Sequence, residues 1–497
     1  MRLSQLLTNL EVQKIQGDLN LDIKGIYHDS RSIEKDGLFV GIKGFSFNGH
    51  CFVDEAIRRG AIALVVEEEV DPWPGITTIK VADSRQALAL LANQFYDFPS
   101  QKLKLIGVTG TNGKTTVAYM LRAILSEAGY KTGLLSTPQN IIGDKISPSR
   151  MTTMESVDLQ KSLREMVEQK DEYAVIEVSS HALKLSRVAG CDFEVAIFTN
   201  ISNEHFEIHK NFTDYLESKK KLFLSLNNSH KDAYRKFAVI NVDEEYSPEF
   251  IKDNKVNLIT YGVREKAEVK ATDIKINLKN CSFIVETPRG REKIYLNFGG
   301  GYNVYNALAA IAAAITQGIP LEKMSMALGK FYGAPGRYKL LDFGQNYTVI
   351  VDFAHNYHGL GNILSHLRSF ASCKVITVFG HGGEKYSGVR PIIGEVLGTY
   401  SDYVIITADN PKSEGPFKIA QEIEAGVKKT GKDYIIMVDR VEAIEHALRK
   451  AEPGDIVLIA GKGPENEQIY RNKVIPHNDE EVVKKIILGE RERIGRM

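Results

Sequence analysis

The residues with the clearest capacity for chemistry lie in GVTGTNGKTT, Gly107 to Thr116, between an apolar strand-forming run and a helical one. Glycines at 110 and 113, on either side of Thr111 and Asn112, let backbone amides approach phosphate oxygens with no side chain between. Lys114 is placed to reach the β- and γ-phosphates of a nucleotide, Thr115 to offer a hydroxyl to Mg²⁺, and the helix carrying Thr116 points its N-terminus at the anion. A strict Walker A loop has glycine where this chain has Val108, so the loop is a variant. The alternative is a glycine-rich turn with an ordinary lysine. Magnesium prefers few carboxylates together with water and phosphate oxygens. Glu177, closing the run YAVIEVSS, suits that task, or is simply an edge-strand glutamate.

A second set lies downstream. NFTDYLESKKKLFLSL reads as a helix with Phe212, Tyr215, Leu216, Leu222, Phe223 and Leu226 on one stripe, and Lys219 falls on that stripe. Either its stem lies along the core while the ammonium reaches water, or the amine is buried and works electrostatically near the nucleotide. Lys220 and Lys221 fall off the stripe and are expected in solvent. In NEHFEIH, His205 and His209 are four apart, with Glu204 and Glu207 beside them. That spacing can bind zinc on a helix but lacks an evident third ligand, and one histidine beside magnesium is the simpler reading.

These residues need elements to hold them. The chain has 497 residues, more than one core usually serves. The first block, 1–99, carries the strand-like runs GLFVGIKG and AIALVVEEE and ends in a helix before DFPS. The second, 100–334, alternates LKLIGVTG, YAVIEVSS, EVAIFTNIS and KFAVINVD with helices. The third, 335–497, carries YTVIVDFAH, KVITVFGHGG, DYVIITADNP, YIIMVD and DIVLIAGKGPE. This alternation predicts an α/β fold of three domains with mostly parallel sheets, ligands meeting the loops beyond the strands' carboxyl ends.

Lysine plus arginine and aspartate plus glutamate number 63 each, so no global field draws nucleic acid or an anionic membrane surface. The four cysteines are scattered, which argues against a disulfide framework and fits a reducing compartment. The N-terminal stretch turns polar too early for a signal region, and the most apolar run, 307–315, is too short to span a bilayer. A cytoplasmic protein, expected as a monomer, is the reading.

Across nearly its whole length the chain resembles the Mur ligase family. TGTNGKTT is similar to the family's ATP loop; EVSSHAL, TNISNEH, the Tyr215–Lys219–Phe223 spacing, GYNVYNALAA, PGR and VDFAHN follow in family order. The ATP loop alone does not separate Mur ligases from folylpolyglutamate or cyanophycin synthetases. HDSRSIEKDGLFVGIKG does, because it resembles the uridine-nucleotide domain of the branch that adds the third peptide residue. The resemblance implies ATP-dependent joining of a diamino acid to UDP-N-acetylmuramoyl-L-alanyl-D-glutamate through an acyl phosphate. It places Asp29, Ser30 and Arg31 near the UDP group, and Asn140, Thr152, Thr153, Ser179 and Arg187 around the acceptor. Lys114, Thr115, Glu177 and His205 would serve ATP and Mg²⁺, with His205 also a candidate base. Lys219 matches the family's carbamylated lysine, a CO₂-derived metal ligand. Asn303, Arg337, Asp352 and His355 would surround the adenosine and phosphates.

Three motifs depart from the family pattern. Its DNPR loop is Asp409-Asn410-Pro411-Lys412 here, GGDR is Gly382-Gly383-Glu384-Lys385, and GKGHE is Gly461-Lys462-Gly463-Pro464-Glu465. All three fall in the region expected to receive the amino acid. Lys385 and Lys412 can still pair with a carboxylate, as point charges rather than forks, and Glu465 can receive an ammonium. meso-Diaminopimelate is therefore favoured over L-lysine. The alternatives are a related ligase with another amino acid or acceptor, and a nucleotide-binding homologue without turnover.

Overall fold

The computed structural model describes residues 1–44, 48–149, 151–227 and 235–494. Three sheets follow one another along the chain. The first orders its strands Lys14–Gln16, Thr77–Lys80, Ala61–Val66, Gly37–Val40 and Gly25–Tyr27, parallel except for the first pair. Helix Ser84–Phe95 packs beside it, its start secured by Asp83, whose carboxylate accepts from the amides of Arg85 and Gln86.

The second sheet has eleven strands. Its run from Val269–Ile276 through Asn257–Gly262, Phe237–Asn241, Phe193–Phe198, Lys104–Thr109 and Tyr173–Glu177 to Thr132–Leu135 is parallel. Antiparallel strands extend both edges: Cys281–Thr287 and Gly290–Leu296 on one side, Gln139–Ile142 and Lys145–Pro148 on the other. Those extensions were not anticipated, because their solvent-facing alternation lacks the continuous apolar runs of the central strands.

The apolar run 307–315 forms the carboxyl-terminal part of helix Gly301–Thr316, buried from Ala307 to Ile315. Its alanines let helix Lys114–Glu127 pack closely on it and hold the glycine-rich turn from behind. Gly129, with φ 97°, closes the latter helix. Among the described residues no helix is long and apolar enough to cross a membrane.

The third sheet is ordered Lys339–Leu341, Thr348–Asp352, Ile456–Ala460, Val375–Phe379, Tyr403–Ile406 and Asp433–Ile436, antiparallel only at its first pair. Here Arg440 and Asp479 are fully buried and joined by two bonds, Nε to Oδ1 at 2.8 Å and Nη2 to Oδ2 at 2.7 Å. His477 approaches the same carboxylate at 2.8 Å. Although burial opposes ionisation of Asp479, Arg440 and His477 hold it well below the usual carboxylate range. Truncating one partner leaves the other charge buried and alone. Arg440→Ala is expected to cost about 3–5 kcal/mol in urea unfolding followed by circular dichroism; an unchanged midpoint would show the pair to be dispensable.

Candidate functional site

Strand register brings the chemistry together. Glu177 stands level with Val108, and Phe198 with Thr109, so the loops leaving three neighbouring parallel strands emerge at one edge. The turn after Thr109 needs glycine: Gly110 and Gly113 have φ of 152° and 87°. A side chain at either would collide with Thr199 Oγ1 or with Asn306 Oδ1. The loop is tied down by residues outside it. Asn200 accepts from the Asn112 amide at 2.8 Å and donates to its carbonyl at 3.0 Å, while Thr199 donates to that carbonyl at 2.7 Å. The hydroxyls of Thr111 and Tyr215 lie 2.8 Å apart.

Lys114 folds back over the loop, donating to the carbonyls of Gly110 and Thr111, both at 2.9 Å. Burial lowers its pKa, against the opposing pull of Glu177 and Glu204. Glu177 is buried and accepts from Thr115 Oγ1 at 3.0 Å, from the Thr137 amide at 3.0 Å, and from the Ser136 hydroxyl. A hydroxyl and a carboxylate thus converge at the start of the helix, a donor set suited to magnesium.

Lys219 is 1% exposed on helix Phe212–Leu226. Its Nζ donates to the Gly110 carbonyl at 2.8 Å and sits 4.5 Å from the Tyr215 ring centre. Burial first, and the Lys114 cation second, push its pKa well below the ordinary lysine value, with Glu204 opposing. The lysine therefore does not carry its amine to water. Lys221 is exposed, but Lys220 corrects the expectation that it is solvated: it is 7% exposed, with Glu217 at 2.9 Å and Glu249 and Asp253 each at 3.6 Å. Three carboxylates, from its own helix, from helix Ser247–Ile251 and from the turn after that helix, make that burial tolerable.

The segment holding His205 and His209 is a turn, not a helix, and His205 has φ 64°. His205 Nδ1 lies 3.0 Å from Glu207, and Nε2 lies 3.7 Å from Glu204. His209 instead packs inward, 5.1 Å from Tyr215 between ring centres. His181 meets His205 edge to face at 4.6 Å. Burial, then His205, push His181 down to about 3, leaving a neutral imidazole. Burial also opposes ionisation of Glu204, yet His205, His355 and Asn356 outweigh it and keep the carboxylate charged.

A cavity of about 1180 Å³ joins Lys114, Glu177, His181, Glu204 and His205, with Lys219 and His209 outside its lining. Its walls include Thr111 to Thr116, Thr152, Thr153, Glu177, Ser179, Arg187, His205, Asn303, Arg337, Asp352, His355 and Lys385. The third sheet's loops close it: Asn356 donates to Asn112 at 3.1 Å and Glu204 at 3.0 Å, His355 lies 3.3 Å from Glu204, and Arg337 donates to Thr115 at 3.2 Å. Asn303 is engaged inside its helix, donating to the Gly299 carbonyl at 2.7 Å and accepting from Asn306 at 2.9 Å. Asp352 accepts from the amides of Tyr338 at 2.6 Å and Ala354 at 2.7 Å.

Other expected residues are not brought to this cavity wall. Asp29 accepts from Arg31 at 2.9 and 2.7 Å, Arg31 is exposed, and Ser30 donates to Glu55 at 2.8 Å. Asn140 is buried in its strand. Asp409, Asn410 and Glu465 gather instead around Lys462, whose fully buried ammonium is 3.3, 3.0 and 2.8 Å from them. Gly461, with φ 104°, makes the preceding bend. Lys412 pairs with Glu384 at 3.4 Å. Sequence reasoning missed Lys462, Thr199, Asn200, His181 and Asn356 as site residues. Thr199 and Asn200 lie within TNISNEH, and Asn356 ends VDFAHN, so those motifs carried the signal.

A phosphate-cradling turn backed by a buried carboxylate and a buried lysine defines a nucleotide-using α/β enzyme. Family models for the Mur ligase family catalytic domain, the Mur ligase middle domain and the Mur ligase glutamate ligase domain match residues 22–96, 108–314 and 336–463. The chain is 43% identical to a UDP-N-acetylmuramoyl-L-alanyl-D-glutamate–2,6-diaminopimelate ligase of Caldanaerobacter subterraneus, covering 98% of this chain and 99% of that one. A solved ligase of the same description superposes with TM-score 0.69 at 28% identity, covering 99% of each chain. The MurF ligase of Thermotoga maritima in complex with ADP shares the fold, with TM-score 0.61, 20% identity and coverage of 94% and 98%. The chain belongs to the Mur ligase family. Lys114→Ala is expected to lower ATP turnover about 10²–10³-fold with an unchanged circular dichroism spectrum; turnover within a few-fold of the parent would remove Lys114 from the chemistry.

Proposed function

We propose that the protein joins meso-diaminopimelate to the γ-carboxylate of the D-glutamate in UDP-N-acetylmuramoyl-L-alanyl-D-glutamate, consuming ATP, as a cytoplasmic monomer. The observation that carries this reading is the full-length relationship to diaminopimelate-adding ligases, with the ATP loop lining a large cavity and the buried Lys219 bonded to that loop's Gly110 carbonyl. Units 1–99, 100–334 and 335–497 would hold the uridine nucleotide, the ATP and the amino acid. In support of the cytoplasmic reading, all four cysteines are free thiols.

In this reading the γ-phosphoryl group of ATP passes to the acceptor carboxylate. The amine of the amino acid then attacks the acyl phosphate, and the tetrahedral adduct expels phosphate. Lys114 and the loop amides hold the phosphates in line, and Arg337 adds a cation beside Thr115. Thr152, Thr153, Ser179 and Arg187 orient the acceptor from the same wall. Arg187 is itself oriented by Glu155, 2.6 Å away. Asp29, Ser30 and Arg31 bind the distant uridine end, and Asn140 supports the acceptor wall from its strand. Thr115, Glu177 and His205 would hold Mg²⁺, which supplies charge neutralisation to the phosphate oxygens.

Lys219 completes that donor set only after its charge is reversed. Its neutral amine attacks CO₂, forming an N–C bond and releasing a proton, so a carboxylate replaces an ammonium. Burial beside Lys114 favours that exchange, because one cation there repels another. Lys219→Ala is expected to reduce ligation by orders of magnitude, with partial recovery in added short carboxylates, measured as phosphate release. Near-normal turnover would make Lys219 a packing residue.

On the amino-acid side, Lys385 and the cluster Asp409, Asn410, Lys462 and Glu465 offer both charge signs, as a substrate with two amino-acid ends requires. Lys412 is held by Glu384 and remains near the same loop. Phosphate release measured with the UDP-dipeptide and each amino acid separately should be faster with meso-diaminopimelate; faster turnover with L-lysine would reverse the assignment.

A further inference from the structure

The pair of histidines in NEHFEIH lacked a third metal ligand in sequence, and the fold supplies one. His181 comes from helix Ser180–Lys184, beyond the strand that carries Glu177. Its Nε2 lies 3.9 Å from Glu207 Oε1, and His205 Nδ1 lies 3.0 Å from the same oxygen. One ligand atom from each of His181, His205 and Glu207 falls within 4.8 Å of the others, a spread one ion can draw together. His209 is not the second ligand: its Nδ1 faces Ser218 at 3.5 Å and Asp214 at 3.8 Å.

We infer that His181, His205 and Glu207 form a binding site for a divalent transition metal of the zinc class, which shares His205 with the magnesium set but uses neither Thr115 nor Glu177. Two imidazoles and a carboxylate are the donors that such ions prefer, whereas magnesium favours sets dominated by oxygen, such as Thr115 and Glu177 with phosphate and water. Three protein ligands leave a coordination position for water, and the exposed Glu207 opens the site to solvent. The two nitrogens of His205 face different carboxylates, Nδ1 toward Glu207 and Nε2 toward Glu204. An ion held on the Nδ1 side fixes the imidazole that the magnesium set shares. With Nδ1 bound to the ion, the proton rests on Nε2, so zinc is a brake on ligation that competes with magnesium for His205. This consequence rests on the proposed function, but the binding does not.

The test is titration of the full chain with Co²⁺, without nucleotide and with millimolar Mg²⁺ present, followed by visible d–d absorption and calorimetry. One equivalent is expected. His181→Gln and Glu207→Gln should each weaken binding about tenfold or more, while Glu177→Gln should leave it intact. Glu207 is a surface residue, so its variant keeps the test open if His181→Gln does not fold. Absence of Co²⁺ absorption, binding indifferent to Glu207→Gln, or binding lost in Glu177→Gln would overturn the site. If ligation is detectable, Zn²⁺ inhibition should be present in the parent and weakened in Glu207→Gln. Co²⁺ binding in a protein with no ligation would retain the site and refute the functional reading alone.

Discussion

The central unit depends on a glycine-rich turn, proposed to meet the phosphates of ATP, that packs against two lysines and is held by Asn200 at the amides of Thr111 and Asn112. Gly110 and Gly113 adopt backbone conformations open to few other residues, and Thr199 and Asn306 occupy the space where side chains would stand. Lys114 and Lys219 both donate to the Gly110 carbonyl. Two ammonium groups converging on one buried carbonyl repel each other. A polyanion in front, or a change of sign on one lysine, relieves that repulsion, and the proposed chemistry does both.

The same constraint explains the packing. Helix Gly301–Thr316 is apolar from Ala307 to Ile315 and packs behind helix Lys114–Glu127, while Asn306 near its start meets the turn at Gly113. Polar contacts concentrate on the opposite side. There Asn112, Asn356, Glu204 and His355 tie the loop to the third sheet. Glu204 remains charged in that network and balances the cations around it. A loop bridged from two sheets has its geometry set by their relative placement, which links the loop to the approach of the carboxyl-terminal residues.

The amino-acid region follows a different logic. Lys462 is fully buried and satisfied by Asp409, Asn410 and Glu465, so Glu465 is not simply an open receptor for an ammonium. Lys412 likewise has Glu384 as a partner. Sequence comparison sees individual charges at these positions. The folded chain shows them largely paired before any substrate arrives, and Lys385 reaches the cavity wall from the same loop as Glu384.

The chain's own order of residues was enough for the α/β class, the central parallel strands, the phosphate turn and the lysine on an apolar face. Each of these is local: a strand, a glycine turn and a helix are adjacent in sequence, and helical spacing alone puts Lys219 with Tyr215 and Leu222. Tertiary structure decided what spacing cannot encode. The burial of Lys220 depends on Glu249 and Asp253, on and just after helix Ser247–Ile251, and that of Lys462 on loops far apart in the chain. His181 meets His205 because parallel register aligns the ends of strands separated by another strand. Convergence between distant segments is set by sheet order and register, and no window of sequence contains both partners.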